Sequence, residues 1–165
     1  MAVSANTIAP KNVRDLLENL APLGQIDGVR DYLLADCQGR VLARKPGSFW
    51  KEDVAAACAR DVAQVGEIFS LLTSADATEK VLDFRFEGSL LLVWDWGGAY
   101  LVALCGHDVN HSIARMTVNV IKEELRKDRR FKGYFAPPSG GDESLLTEQH
   151  LGKELYRYVA ALKQT

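Results

Sequence analysis

Two stretches decide the fold: VRDYLLADCQGRVLAR over Val29–Arg44 and LDFRFEGSLLLVWDWGGAYLVALC over Leu82–Cys105. In the first, two apolar runs flank Cys37-Gln38-Gly39-Arg40, the composition of a tight reversal between antiparallel strands. The second carries three runs, broken by Gly88 and by Gly97-Gly98, and so predicts a three-strand meander. Leu82, Phe84 and Phe86 alternate with Asp83 and Arg85, which predicts a strand over Lys80–Glu87 with one wet face. Ser89–Trp96 and Ala99–Cys105 are nearly continuous apolar runs, as in central strands covered on both faces.

Helical spacing surrounds these strands. Val13, Leu16, Leu17 and Leu20 place one apolar stripe on Lys11–Leu20, which Pro22 and Gly24 end. A long helix is expected from a Ser48 cap to about Leu72, with Val54, Cys58, Val62, Val65, Phe69 and Leu72 as its core face. Beside that face run Ala55, Ala59, Ala63 and Gly66, small residues that let another helix approach closely at a dimer seam, serve contact within the same domain, or simply favour helix. A third helix is expected from an Asp108 cap to about Lys127; its apolar positions Val109, Ile113, Met116, Val120, Ile121 and Leu125 make a stripe wider than one contact needs. Residues 131–146, with Pro137-Pro138-Ser139-Gly140-Gly141, have linker composition. A last helix is expected over 147–163, with Leu151, Leu155, Tyr158, Val159 and Leu162 on one side. The expected organisation is a domain over 8–130, a linker, and that C-terminal helix.

With 165 residues there is room for one domain with a proper core, and 25% charged against 47% hydrophobic residues is an ordinary globular balance. A net charge of −2 gives no bulk attraction to nucleic acid or anionic lipid. The longest strongly apolar run, Leu90–Trp94, is far short of the roughly 20 residues that span a bilayer. No secretory leader pattern opens the chain, so a cytoplasmic protein is expected. Cys37, Cys58 and Cys105 are odd in number and far apart, which excludes a closed disulfide framework.

Chemistry-bearing patterns are scarce. Cys105, His107, Asp108 and His111 form the one cluster of metal-ligand residue types, but Asp108 is better used as a helix cap and a site needs three or four convergent ligands. Ser48, Ser89 and Ser112 stand in no nucleophile-elbow context, and no phosphate-cradling loop is present. No catalytic residue, cofactor or metal is therefore expected. The basic stretch Lys122–Lys132 contains Arg126, Lys127, Arg129 and Arg130 beside Phe131, Tyr134 and Phe135. It serves a helix C-terminus, an acidic protein surface or, as an alternative, a nucleic acid.

An α+β arrangement results: a five-stranded antiparallel sheet flanked by helices, with an added C-terminal helix. Over about Val13–Lys127 it resembles the roadblock / dynein light chain family, related to longin and profilin-like folds. The resemblance rests on Ile26-Asp27-Gly28-Val29, the Asp36-x-x-Gly39-x-Val41-Leu42-Ala43 hairpin, the Ala-rich second helix, and the Gly98-to-Leu104 strand leading into the third helix. Length and tail are most similar to stand-alone prokaryotic members, among them the partner of the gliding-motility GTPase. The resemblance implies homodimers whose sheets join edge to edge, and binding to a small Ras-like GTPase as a scaffold or GTPase-activating partner without hydrolysis by the chain itself. On this reading Leu82, Asp83, Phe84 and Arg85 supply the joining edge and Ala55, Ala59, Ala63 and Gly66 lie across the seam. Arg126, Lys127, Arg129, Arg130, Leu151, Leu155 and Tyr158 are the docking candidates. A small-ligand sensing module of profilin-like fold is the other alternative.

Overall fold

A computed structural model of the chain describes residues 10–48, 50–72 and 80–135. The C-terminal helix expected over 147–163, with Leu151, Leu155 and Tyr158, lies outside the described residues, as do His150 and most of the linker. The chain runs through α1 (Pro10–Leu20), a 3₁₀ segment (Ala21–Gln25), β1 (Val29–Asp36), β2 (Val41–Arg44), α2 (Glu52–Leu72), β3 (Lys80–Phe86), β4 (Ser89–Asp95), β5 (Ala99–Cys105), α3 (His111–Arg126) and a second 3₁₀ segment (Arg129–Tyr134).

All five strands join one sheet in the order β2-β1-β5-β4-β3, and every ladder is antiparallel. The most apolar strand, β5, takes the centre because it alone must be covered on both faces along its length. Its alternate residues divide between two cores. Leu101, Ala103 and Cys105 face α1, α3 and the 3₁₀ segments, together with Leu16, Leu20, Ile121 and Leu125. Tyr100 and Val102 face α2, together with Leu33, Val93, Ala59 and Val62.

The β1–β2 reversal is knotted by one side chain. Asp36 accepts from the backbone N–H of Gln38 (3.0 Å) and of Arg40 (2.8 Å), and from Arg40 Nε (2.6 Å). Gly39 completes the turn at φ 81°; a Cβ there would stand 2.7 Å from Arg60 Cα, so the turn is pressed against α2 and leaves no room for a side chain.

Two expected caps are corrected. α3 begins at His111 and its cap is Asn110, whose side chain accepts from Ile113 N at 3.1 Å; Asp108 stands too early in the chain to serve. Ser48 does not cap α2, which begins at Glu52. Its hydroxyl instead donates to Oδ2 of the buried Asp31 at 2.7 Å and accepts from Trp50 N, satisfying a carboxylate carried by a core strand. The domain end is corrected as well. Residues expected to open a linker form the second 3₁₀ segment, which Phe131 anchors fully buried among Leu16, Leu20 and Leu125.

Candidate protein-interaction surface

The inner face of α2 differs from the expected one. Ala55, Ala59 and Ala63 are buried against their own sheet, together with Val62. Gly66 is buried over Tyr100: a Cβ on it would fall 2.6 Å from Tyr100 Cζ and Cε1. Val54 is 49% exposed, and Cys58 and Val65 are half-buried. Small residues let the helix axis approach the sheet closely, and this close approach turns the larger apolar residues outward. The expectation that Ala55, Ala59, Ala63 and Gly66 face a second copy is therefore corrected, since their own chain already covers them.

Among the described residues, α2 packs over one face of β1, β2 and β5. Farther along that face Leu82, Phe84 and Leu91 are half-buried, and they pack at the margin of the α2-side core. The outward flank of α2 and the β3 end of the sheet thus form an apolar margin among the described residues.

β3 bounds that margin and, among the described residues, is a sheet edge paired to β4 alone through seven consecutive residue partners from Lys80↔Asp95 to Phe86↔Ser89. Its outer backbone groups face away from the sheet, the arrangement from which an added strand is templated. Asp83 and Arg85 stand on the other face as an exposed ion pair at 3.6 Å, a contact that contributes little by itself. The opposite edge, β2, is four residues long and is followed at once by Lys45 and Pro46, so it offers a shorter template.

The basic stretch resolves into local pairs. Arg126 reaches Glu123 at 3.4 Å and Lys127 reaches Glu124 at 2.6 Å. Arg130 ties the second 3₁₀ segment to α1: its guanidinium contacts Asp15 and Asp128, each at 2.6 Å, and Asn12 at 2.9 Å, and lies 5.1 Å from the Phe131 ring centre. The same guanidinium holds the Asp128 carboxyl below its usual range. Arg130 thus clasps two segments of its own chain, while Arg126, Lys127 and Arg129 remain exposed. The aromatic residues of the stretch are used internally: Phe131 is buried, and Phe135 packs on Trp96 with ring centres 5.1 Å apart. Tyr134 and Phe135 remain half-buried, so less ring face is left for the base stacking of the nucleic-acid alternative.

The residues weighed for metal binding do not converge. Cys105 is buried and its Sγ lies 3.8 Å from the Ala103 carbonyl; His107 Nε2 lies 3.0 Å from the Phe86 carbonyl; His111 opens α3 toward solvent. Among the described residues, no group of three His, Cys, Asp or Glu side chains is placed to hold an ion. Burial pushes the Cys105 thiol up to about 11, and it raises Cys37, Cys58 and Tyr100 as well. Each is thereby kept in its protonated form, the opposite of an activated nucleophile. No helix of the described residues is long and apolar enough to cross a membrane.

No family model matches the chain, and no curated protein matches it by sequence. Solved structures do. The Roadblock/LC7 domain from Streptomyces avermitilis superposes with a TM-score of 0.55 at 16% identity, covering 68% of this chain and 92% of that one. The gliding protein MglB from Thermus thermophilus does so with a TM-score of 0.55 at 25% identity, over 70% of this chain and 88% of that one. An MglB solved in a tetrameric arrangement gives the same figures. The described body has the roadblock/LC7 fold, and the likeness to stand-alone prokaryotic roadblock proteins extends across it.

Proposed function

We propose that this roadblock-fold chain is a non-enzymatic interaction module that forms a homodimer and, as a dimer, binds and regulates a small Ras-like GTPase in the cytoplasm. The observation that carries the reading is an apolar margin which, among the described residues, runs from the flank of α2 (Val54, Val65) to the half-buried Leu82 and Phe84 on the edge strand β3. Two copies related by a two-fold axis pair their β3 strands antiparallel through Leu82, Asp83, Phe84 and Arg85. Each outward α2 flank is then brought toward the other copy, and the half-buried leucines and phenylalanine are covered from both sides. An MglB that assembles as a tetramer supports such association by this fold.

The GTPase part of the reading rests on the likeness to MglB and on surface character. A continuous sheet carrying two α2 helices on one face is a broad, shallow platform suited to a protein and not to a small molecule. On the opposite face of the sheet, the exposed Arg126, Lys127 and Arg129 at the end of α3 offer a separate basic patch that favours an acidic partner surface. The module acts by holding one nucleotide state of its partner or by completing the partner's own site, as a scaffold in signalling.

The test is hydrolysis by small Ras-like GTPases from the source genome, each with and without the purified chain, alongside capture of each GTPase in its GDP-bound and GTP-analogue forms. Capture that depends on nucleotide state, with or without a change in hydrolysis rate, is the expected result. Equal failure to capture either form would overturn it.

A further inference from the structure

α3 presents a second apolar stripe directed away from its own core. Ala114, Val118, Ile121 and Leu125 are buried on the inner side, whereas Ile113, Met116 and Val120 are 49%, 69% and 64% exposed. Their spacing of three and then four residues draws a narrow seam along the helix, the kind that receives one other helix. An open cleft of about 310 Å³ lies at the N-terminal end of α3, lined by Val81, Leu92, Trp94, His111 and Arg115.

We infer that residues 147–163 of the same chain form a helix that docks antiparallel on this α3 seam. This inference stands independently of the GTPase reading. The chain beyond Phe135 leaves from the C-terminal end of α3, where Phe135 lies 5.5 Å beneath the Arg126 guanidinium and packs on Trp96. Residues 136–146 reach as far as about 36–40 Å when extended, more than the roughly 24 Å length of α3. A helix over 147–163 is roughly 25 Å long and so matches α3 end to end.

Leu151, Leu155, Tyr158 and Leu162 repeat at four, three and four residues, the complement of the α3 seam. Running antiparallel, the acidic start of the segment (Asp142, Glu143 and Glu148) lies beside Arg126 and Lys127, and Leu162 arrives by Ile113 at the first turn of α3. A narrow stripe that its own core does not use, a segment of matching length and period, and an exit point at one end of the stripe converge on this single occupant.

The chain contains two methionines, Met1 and Met116, so methyl labelling of methionine gives a direct reporter in the full-length protein. With a soluble gadolinium chelate in the buffer, the Met116 methyl is expected to relax several-fold more slowly than a solvent-exposed methyl. The double substitution L151E/L155E restores full exposure. In a parallel hydrogen-exchange experiment, Val120→Glu on the exposed seam removes amide protection from 147–163 and leaves the sheet protected. A Met116 methyl already exposed in the unmodified chain would overturn the inference. So would protection unaltered by either variant, or protection that grows with protein concentration and thereby identifies a second copy as the occupant.

Discussion

Replacing Gly66 by Ala sets two effects of opposite sign against each other. In an exposed helix interior the change gains about 1 kcal/mol, because Ala restricts the unfolded chain and favours helix. Here the new methyl would lie 2.6 Å from Tyr100 Cζ and Cε1 and also against its hydroxyl, and Tyr100 is itself buried on the central strand β5. Overpacking of this kind costs about 1–3 kcal/mol, since either α2 must lift or the ring must leave its rotamer. The steric term outweighs the gain, with a net destabilisation of up to about 2 kcal/mol and a fall in Tm of up to roughly 8 °C. Thermal unfolding followed by circular dichroism measures it. A double-mutant cycle with Tyr100→Phe, which removes the hydroxyl and leaves the ring carbons, should recover about 0.5–1 kcal/mol. A Gly66→Ala chain that melts higher than the parent would refute the inward orientation of the small-residue face of α2.

The same orientation separates two arginine substitutions on one helix. Ala59→Arg places an unpaired charge in a fully buried site and is expected to cost about 3–5 kcal/mol and unfold the domain, whereas Val54→Arg on the outward flank leaves melting nearly unchanged and weakens self-association in light scattering. Thiol labelling under native conditions should modify Cys37 and Cys58 slowly and leave Cys105 untouched until the chain unfolds; rapid native labelling of Cys105 would contradict its burial. The Asp128 carboxyl is lowered in the folded state by Arg130, so its contribution is present above the unfolded carboxylate pKa of about 4 and is lost as pH falls through the folded value. Arg130→Ala should therefore flatten the acid side of the stability profile, and an unchanged profile would show that the clasp to Asp15 and Asp128 carries no linkage. Because the folded-state thiol of Cys105 is raised, its contribution is complete below the unfolded thiol pKa of about 8.5 and fades as pH climbs toward about 11, which Cys105→Ala should abolish in alkaline melts.

The strands were legible because period-two alternation and glycine-bearing turns are local signals: β5 has the bounds that its apolar run predicts, and β3 and β4 end one residue early. α2 was misread for a physical reason. Ranking apolar positions by size assigns Val54 and Val65 to the core, but a helix can also gain burial by bringing Ala and Gly close to a sheet, and only the packing partner decides between these. For Gly66 that partner is Tyr100, far away in sequence. The clasp of Arg130 on Asp15 joins residues still farther apart, so no spacing rule finds it. Asp108 and Ser48 have the right chemistry for caps, and each lost that role to where its helix begins; Asn110 caps α3 instead, and Ser48 serves the buried Asp31. β3 was legible as an alternating strand and its edge position followed from the family resemblance; the strand order places it at the end of the sheet.

In the proposed function, two copies of this chain join through β3 and act together on a small GTPase. Sedimentation velocity of the purified chain, alone and mixed with a candidate Ras-like GTPase in its GDP-bound and GTP-analogue forms, tests both halves at once. The expected result is a species of twice the 18.2 kDa chain mass, and a larger complex containing two copies of the chain that forms in one nucleotide state and not in the other. A chain that sediments as an 18.2 kDa monomer and leaves the GTPase boundary unmoved in both states would contradict it.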